Sequence, residues 1–81
     1  MNVRVRLFAR ARDLVGRDAV ALELPAGATV GEVRRRLAVE HPALGPMLGR
    51  CALAVNDEFA EDTAPLPAGA EVALLPPVSG G

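Results

Sequence analysis

Val3, Val5 and Leu7 alternate with Arg4 and Arg6. A period of two is what a strand with one buried and one wet face requires. The pattern returns at Val20, Leu22 and Leu24, at Cys51, Leu53 and Val55, and at Val72 and Leu74. One stretch departs from it. Val30, Val33 and Leu37 share a face at helical spacing, and Glu32 with Arg36 and Arg36 with Glu40 can pair along the outside. Thr29 followed by Glu32 has capping-box spacing. Val39 falls off the apolar face, and His41 before Pro42 is where the helix should stop. A chain that switches period once is committed to a sheet with one main helix.

The connections fill in the rest. ARARDLVG after Phe8 reads as a short helical or turn-like segment closed by Gly16. The first two strands then suggest an antiparallel hairpin, with a long loop as the alternative. ALGPMLG, residues 43–49, is a turn-rich bridge whose Leu44, Met47 and Leu48 should tuck inward. Asn56-Asp57-Glu58 has the chemistry of a tight turn, with Phe59 and Ala60 a short strand beyond it. The order strand, strand, helix, strand, short strand, strand fits an α+β fold. The β-grasp arrangement satisfies it: a mixed sheet of about four to five strands with one main helix across one face. By analogy with that topology the first and last strands lie side by side at the centre. The expected division is a domain over 1–75 and an extended tail over 76–81.

Composition narrows the functions open to such a domain. Eighty-one residues bury roughly two-thirds of the unfolded surface but leave no room for a deep catalytic cleft. The net charge of -1 argues against nucleic acid, because phosphate binding needs a net basic face. All nine basic residues are Arg. Without Lys there is no phosphate-loop lysine and no ε-amine to compete for an activated acyl group. One Cys and one His exclude an internal disulfide and a Cys/His zinc site. No apolar run approaches the ~18 residues of a membrane span, and no leader precedes the first strand. A cytoplasmic location, with no metal and no cofactor bound by this chain, is the expectation.

Two groups of residues remain. The first is the ending PPVSGG: Pro76, Pro77, Val78, Ser79, Gly80 and Gly81. Six extended residues span on the order of 20 Å, and the prolines stiffen the base of that span. Glycines without side chains can enter a narrow channel and carry a carboxylate to a reactive centre. Such a carboxylate is ionised at neutral pH and a poor electrophile, so chemistry on it implies conversion to an acyl adenylate by a partner that uses ATP. The alternative is a tail that simply frays. The second group is Phe8, Phe59 and Leu75. Phe8 and Leu75 break the inward alternation and should emerge on the sheet face away from the helix, where grouped apolar residues mark a protein interface. The alternative is that loops cover them. Cys51 reads as buried and inert, and His41 as a residue at the helix end. Consecutive Arg34, Arg35 and Arg36 read as a solvated face, and Asp57, Glu58, Glu61 and Asp62 as solvated turns.

LFARARDLVG, the Thr-capped helix, ALAVNDE and EVALLPPVSGG together resemble the MoaD family of ubiquitin-like sulfur carriers, the small subunits of molybdopterin synthase. The resemblance spans essentially the whole chain. It implies a β-grasp fold whose Gly81 is adenylated by an activating enzyme, converted to a thiocarboxylate and inserted into the large subunit. There it would donate sulfur to cyclic pyranopterin monophosphate, the active site lying in that partner. Gly80 would be the small residue admitting the tail. Phe8, Phe59 and Leu75, with Pro76, Pro77, Val78 and Ser79, would contact the partners, Leu75 standing where an aromatic is usual. A heterotetramer of two small and two large subunits is also implied. Alternatives are a sulfur carrier for thiazole synthesis, which typically lacks the LFARARDLVG connection, a ubiquitin-like modifier conjugated to lysines, and a plain interaction domain.

Overall fold

The computed structural model describes residues 1–77, over which the chain runs as strand β1 (Asn2–Leu7), helix α1 (Ala9–Val15), β2 (Ala19–Glu23), helix α2 (Val30–Glu40), a 3-10 turn at Pro42–Leu44, short helix α3 (Gly45–Leu48), β3 (Ala52–Val55), β4 (Glu58–Ala60) and β5 (Glu71–Leu75). The strands form one mixed sheet in the order β2-β1-β5-β3-β4. Its only parallel pair among the described residues is β1 with β5, the first and last strands, at the centre. Four to five strands, one main helix and adjacent terminal strands are all as the sequence leads one to expect.

Register explains the core. Val3 faces Leu22, Val5 faces Val20 and Val72, and Leu74 faces Leu7 and Leu53, so the inward positions of neighbouring strands meet in rows. Against them lie Val30, Val33 and Leu37 of α2, with Leu44, Met47 and Leu48 of the bridge and Ala11 of α1. Ten large aliphatic side chains are almost wholly buried. At about 1.5–3 kcal/mol for each one removed from water, they supply what the missing aromatics would otherwise contribute. Cys51 precedes β3 rather than lying in it, but it faces the same interior.

The start of α2 is held differently from the capping box that Thr29 and Glu32 suggest. The Thr29 side chain makes no cap hydrogen bond. Instead the Val30 and Gly31 N–H groups donate to the carbonyls of Ala64 and Asp62, each at 2.9 Å, while Thr29 pairs with Pro65 in an isolated bridge. The segment before β5 thus satisfies the orphan donors of the first turn through its backbone. Along the outside, Arg36 does approach Glu40 at 3.9 Å, but Glu32 is met by Arg35 at 3.9 Å rather than by Arg36. The helix ends at His41, whose N–H reaches the Leu37 carbonyl, and Val39 is 72% exposed.

Two turns shape the functional surface. Asn56 and Asp57 both have positive φ, 49° and 70°, which makes β3–β4 a two-residue hairpin of the primed type. Ala9 is also left-handed, at φ 50°, directly after Phe8 in extended conformation. That sharp corner starts α1 while leaving Phe8 in line with β1.

Candidate functional site

Helices and bridge cover one face of the sheet; the other face carries the side chains of opposite parity. One row crosses it as Ala19, Arg6, Ala73, Ala54 and Phe59, each paired with the next on the neighbouring strand. In the next row Leu75 faces Ala52, and the β1–β5 register, which ends at Leu7 opposite Leu74, sets Phe8 beside Leu75. The Arg6 guanidinium carbon lies 5.3 Å from the Phe8 ring centroid, within reach of a cation–π contact. Phe8 and Leu75 therefore lie on the face that alternation assigns them, and the β3–β4 register brings Phe59 to the same face. They are unequal there: Phe59 is 78% exposed, whereas Phe8 and Leu75 are half-buried.

Between the three lies a floor of alanines, Ala52, Ala54 and Ala73, which reading only for large apolar residues overlooks. Their signal is in the sequence all the same, since they are the outward positions between Cys51, Leu53, Val55, Val72 and Leu74. Ala54 is only 7% exposed although it belongs to this face. Small side chains make the surface flat, and flatness suits a protein partner better than a small molecule. Farther along β1, Arg4 stands opposite Glu71.

The same register fixes where the tail leaves. β5 runs parallel to β1 and ends at Leu75, next to Phe8, at the rim of this face. Pro76 is half-buried and Pro77 exposed. Val78, Ser79, Gly80 and Gly81 lie outside the described residues.

The remaining candidates sit elsewhere. Cys51 is buried, its Sγ donating to the Met47 carbonyl at 3.3 Å, and desolvation pushes its thiol above the ordinary range, against the opposing pull of Arg34 and Arg50. His41 follows the last residue of α2 as its C-terminal cap. Arg34 is not part of a solvated face. Its Nη1 donates to the carbonyls of Leu48 and Cys51, the latter at 2.9 Å, and its Nη2 reaches Asp62 Oδ1 at 3.0 Å. It ties α2 to the bridge and to the segment before β5, and Asp62 is thereby a structural partner rather than a free turn carboxylate. Among the described residues no three His, Cys, Asp or Glu side chains are grouped to hold a metal ion, and no helix is long and apolar enough to cross a membrane.

The sequence matches the ThiS family over residues 5–81. It is 40% identical over 83 residues to the molybdopterin synthase sulfur carrier subunit of Escherichia coli (strain K12), covering 98% of this chain and 99% of that protein. SAMP1, the small archaeal modifier protein 1 of Haloferax volcanii, has a crystal structure with a TM-score of 0.86 at 32% identity, covering 100% of both chains. A chain in the protein–protein complex of subunits 1 and 2 of the molybdopterin-converting factor from Helicobacter pylori gives a TM-score of 0.70, also at 32% identity and with 100% of both chains covered.

Proposed function

Because the chain belongs to the ThiS family and is related over its full length to molybdopterin synthase sulfur carrier subunits, we propose that it carries sulfur on Gly81 for molybdenum cofactor biosynthesis. The observation that carries this reading is a family match that runs through Gly81, on a chain whose last strand ends beside an uncovered apolar face.

The chemistry begins with an ionised carboxylate at Gly81. One of its oxygens attacks the α-phosphorus of ATP on an activating enzyme and pyrophosphate leaves. Hydrosulfide from the sulfur source then attacks the acyl adenylate, AMP leaves with the C–O bond electrons, and the added sulfur loses its proton. The resulting thiocarboxylate enters the large synthase subunit, where its sulfur bonds to cyclic pyranopterin monophosphate, water cleaves the acyl C–S bond to restore the Gly81 carboxylate, and molybdopterin forms. Gly80 and Gly81 have no side chains to obstruct a narrow channel. Phe8, Phe59 and Leu75 dock on the partners, and Pro76, Pro77, Val78 and Ser79 contact them along the tail. This chain binds no cofactor, ATP being used by the activating enzyme. The assembly is a heterotetramer in the cytoplasm, and the complex of subunits 1 and 2 in Helicobacter pylori supports a large-subunit partner.

The likeness to an archaeal modifier protein favours a second reading, in which activated Gly81 is joined to lysines of other proteins. Mass spectrometry after incubation with ATP, a competent activating enzyme and a sulfur source decides between them. Replacement of one terminal oxygen by sulfur is expected. Isopeptide adducts on other proteins would favour the modifier, and an unchanged mass would defeat both.

A further inference from the structure

We propose that this chain is an acyl donor that cannot act as its own acceptor: once activated, its terminus is taken only by nucleophiles on other molecules, and copies of the chain do not join to one another. The inference rests on the reading of Gly81 as an activated terminus.

An acyl adenylate is consumed by whatever good nucleophile reaches it. An amine attack forms a C–N bond, breaks the C–O bond to AMP and releases a proton from nitrogen; a thiol attack forms a thioester in the same way. The usual acceptor on a protein surface is the lysine ε-amine, and the sequence has none. Nine arginines carry the positive charge instead, and a guanidinium stays protonated and non-nucleophilic. The single thiol, Cys51, is buried in the core and engaged with the Met47 carbonyl. His41 would only relay the group, since an acyl imidazole passes it on.

There remains the α-amine of Met1, and the fold deals with it in two ways. It donates to the Leu24 carbonyl and lies 3.7 Å from the Glu23 carboxylate, so attack would require breaking both contacts. It also sits at the far end of the sheet. β1 and β5 are parallel, with Leu7 opposite Leu74, so the tail departs at the end of β1 remote from Met1. Six residues of β1 separate Met1 from that end by about 20 Å. The six residues after Leu75 span at most about 20 Å when fully extended, and they would have to reverse direction first. Cyclisation would thus need a wholly extended tail laid back along the sheet and a Met1 amine freed from both of its contacts.

The test uses the full chain with ATP, magnesium and an adenylating enzyme that activates Gly-Gly carriers, with no sulfur source. Pyrophosphate exchange reports activation, and hydroxylamine added to a parallel sample traps the acyl group as a hydroxamate. We expect exchange, a monomeric hydroxamate and no species of twice the chain mass less one water. The Arg17→Lys variant, which adds an ε-amine at an exposed position, is expected to gain that dimer. A dimer linked through Met1 in the parent chain would overturn the proposal, as would equal dimer yields from parent and variant. Absence of both exchange and hydroxamate would instead remove the activation step, and the reading of Gly81 would fall with it.

Discussion

Arg34 meets Asp62 in a two-pronged contact, Nη2 at 3.0 Å and Nε at 3.2 Å from the same carboxylate oxygen, while its other arm caps the carbonyls of Leu48 and Cys51. One side chain thereby joins three segments far apart in sequence. The carbonyl contacts should outweigh the ion pair, because Asp62 is 55% exposed and water screens its charge. Arg34→Met leaves both carbonyls without this donor and should cost about 1–3 kcal/mol. Asp62→Asn should cost no more than about 1 kcal/mol. Thermal unfolding would separate the two, at roughly 4–8 °C per kcal/mol in a domain of this size. Equal losses would place the stabilisation in the ion pair instead.

Gly31 tests the backbone contacts at the start of α2. A Cβ there would lie 3.3 Å from both the Cβ and the carbonyl oxygen of Asp62. Helix propensity alone favours Ala over Gly by about 1 kcal/mol. The close approach should cancel that gain, because pushing Asp62 away stretches the Gly31 N–H bond to its carbonyl and disturbs the Arg34 contact. Gly31→Ala is expected to melt at or below the parent temperature, and Gly31→Val lower still. A clear rise for the alanine variant would show that the segment yields without cost.

How far these features were legible in the sequence depends on the range of the interaction. Alternation at Val3, Val5 and Leu7 and at Val72 and Leu74 is local, and it places both strands and the faces of Phe8 and Leu75. The left-handed turn at Asn56 and Asp57 is local too, and its residue types announce it. What closes α2 is not local. Thr29 and Glu32 satisfy the spacing for a capping box, yet the donors are taken by carbonyls some thirty residues away, which no spacing rule contains. Arg34 escaped for the same reason: at the head of the run Arg34, Arg35 and Arg36 it looks like one more solvated charge, and only packing reveals that it points at the bridge. The alanine floor was legible by parity, but small residues draw no notice beside Phe59.

Phe59 and Phe8 separate docking from stability. Phe59 is 78% exposed, so Phe59→Asp should change stability by no more than about 0.5 kcal/mol. Phe8 is half-buried under Arg6, and Phe8→Asp should cost somewhat more. Both are expected to weaken binding to the large subunit by more than they destabilise the domain, measurable by calorimetric titration beside thermal melts. A large fall in melting temperature with affinity retained would assign Phe8 to the core.

Cys51 should respond to pH in a defined direction. Desolvation raises its thiol in the folded state, so the unfolded chain ionises first as pH rises. The stability contributed by keeping the thiol neutral is fully present below the ordinary thiol value of the unfolded chain and is lost as pH climbs through the higher folded value. Cys51→Ala should remove that alkaline decline while sacrificing some packing. In the folded parent at neutral pH, a thiol reagent is expected to react slowly and then at full rate once the chain is denatured. Rapid labelling of the folded protein would show the thiol to be accessible.

Deleting Gly81 tests the role of the terminus without touching the fold. The core is complete in residues before Leu75, and β5 is paired on both sides by β1 and β3 up to Leu74 and Leu75. The shortened chain should therefore melt with the parent and bind the large subunit through the same face. Its carboxylate would sit one residue, at most about 3.6 Å, farther from the reactive centre, a displacement large against the tolerance of a nucleophilic step, where about 1 Å can cost 10²-fold in rate. Sulfur transfer should be lost while binding and melting temperature hold. Transfer at the parent rate would mean that Gly81 is not the atom bearer, and loss of binding together with transfer would assign the terminal glycine to docking rather than to chemistry.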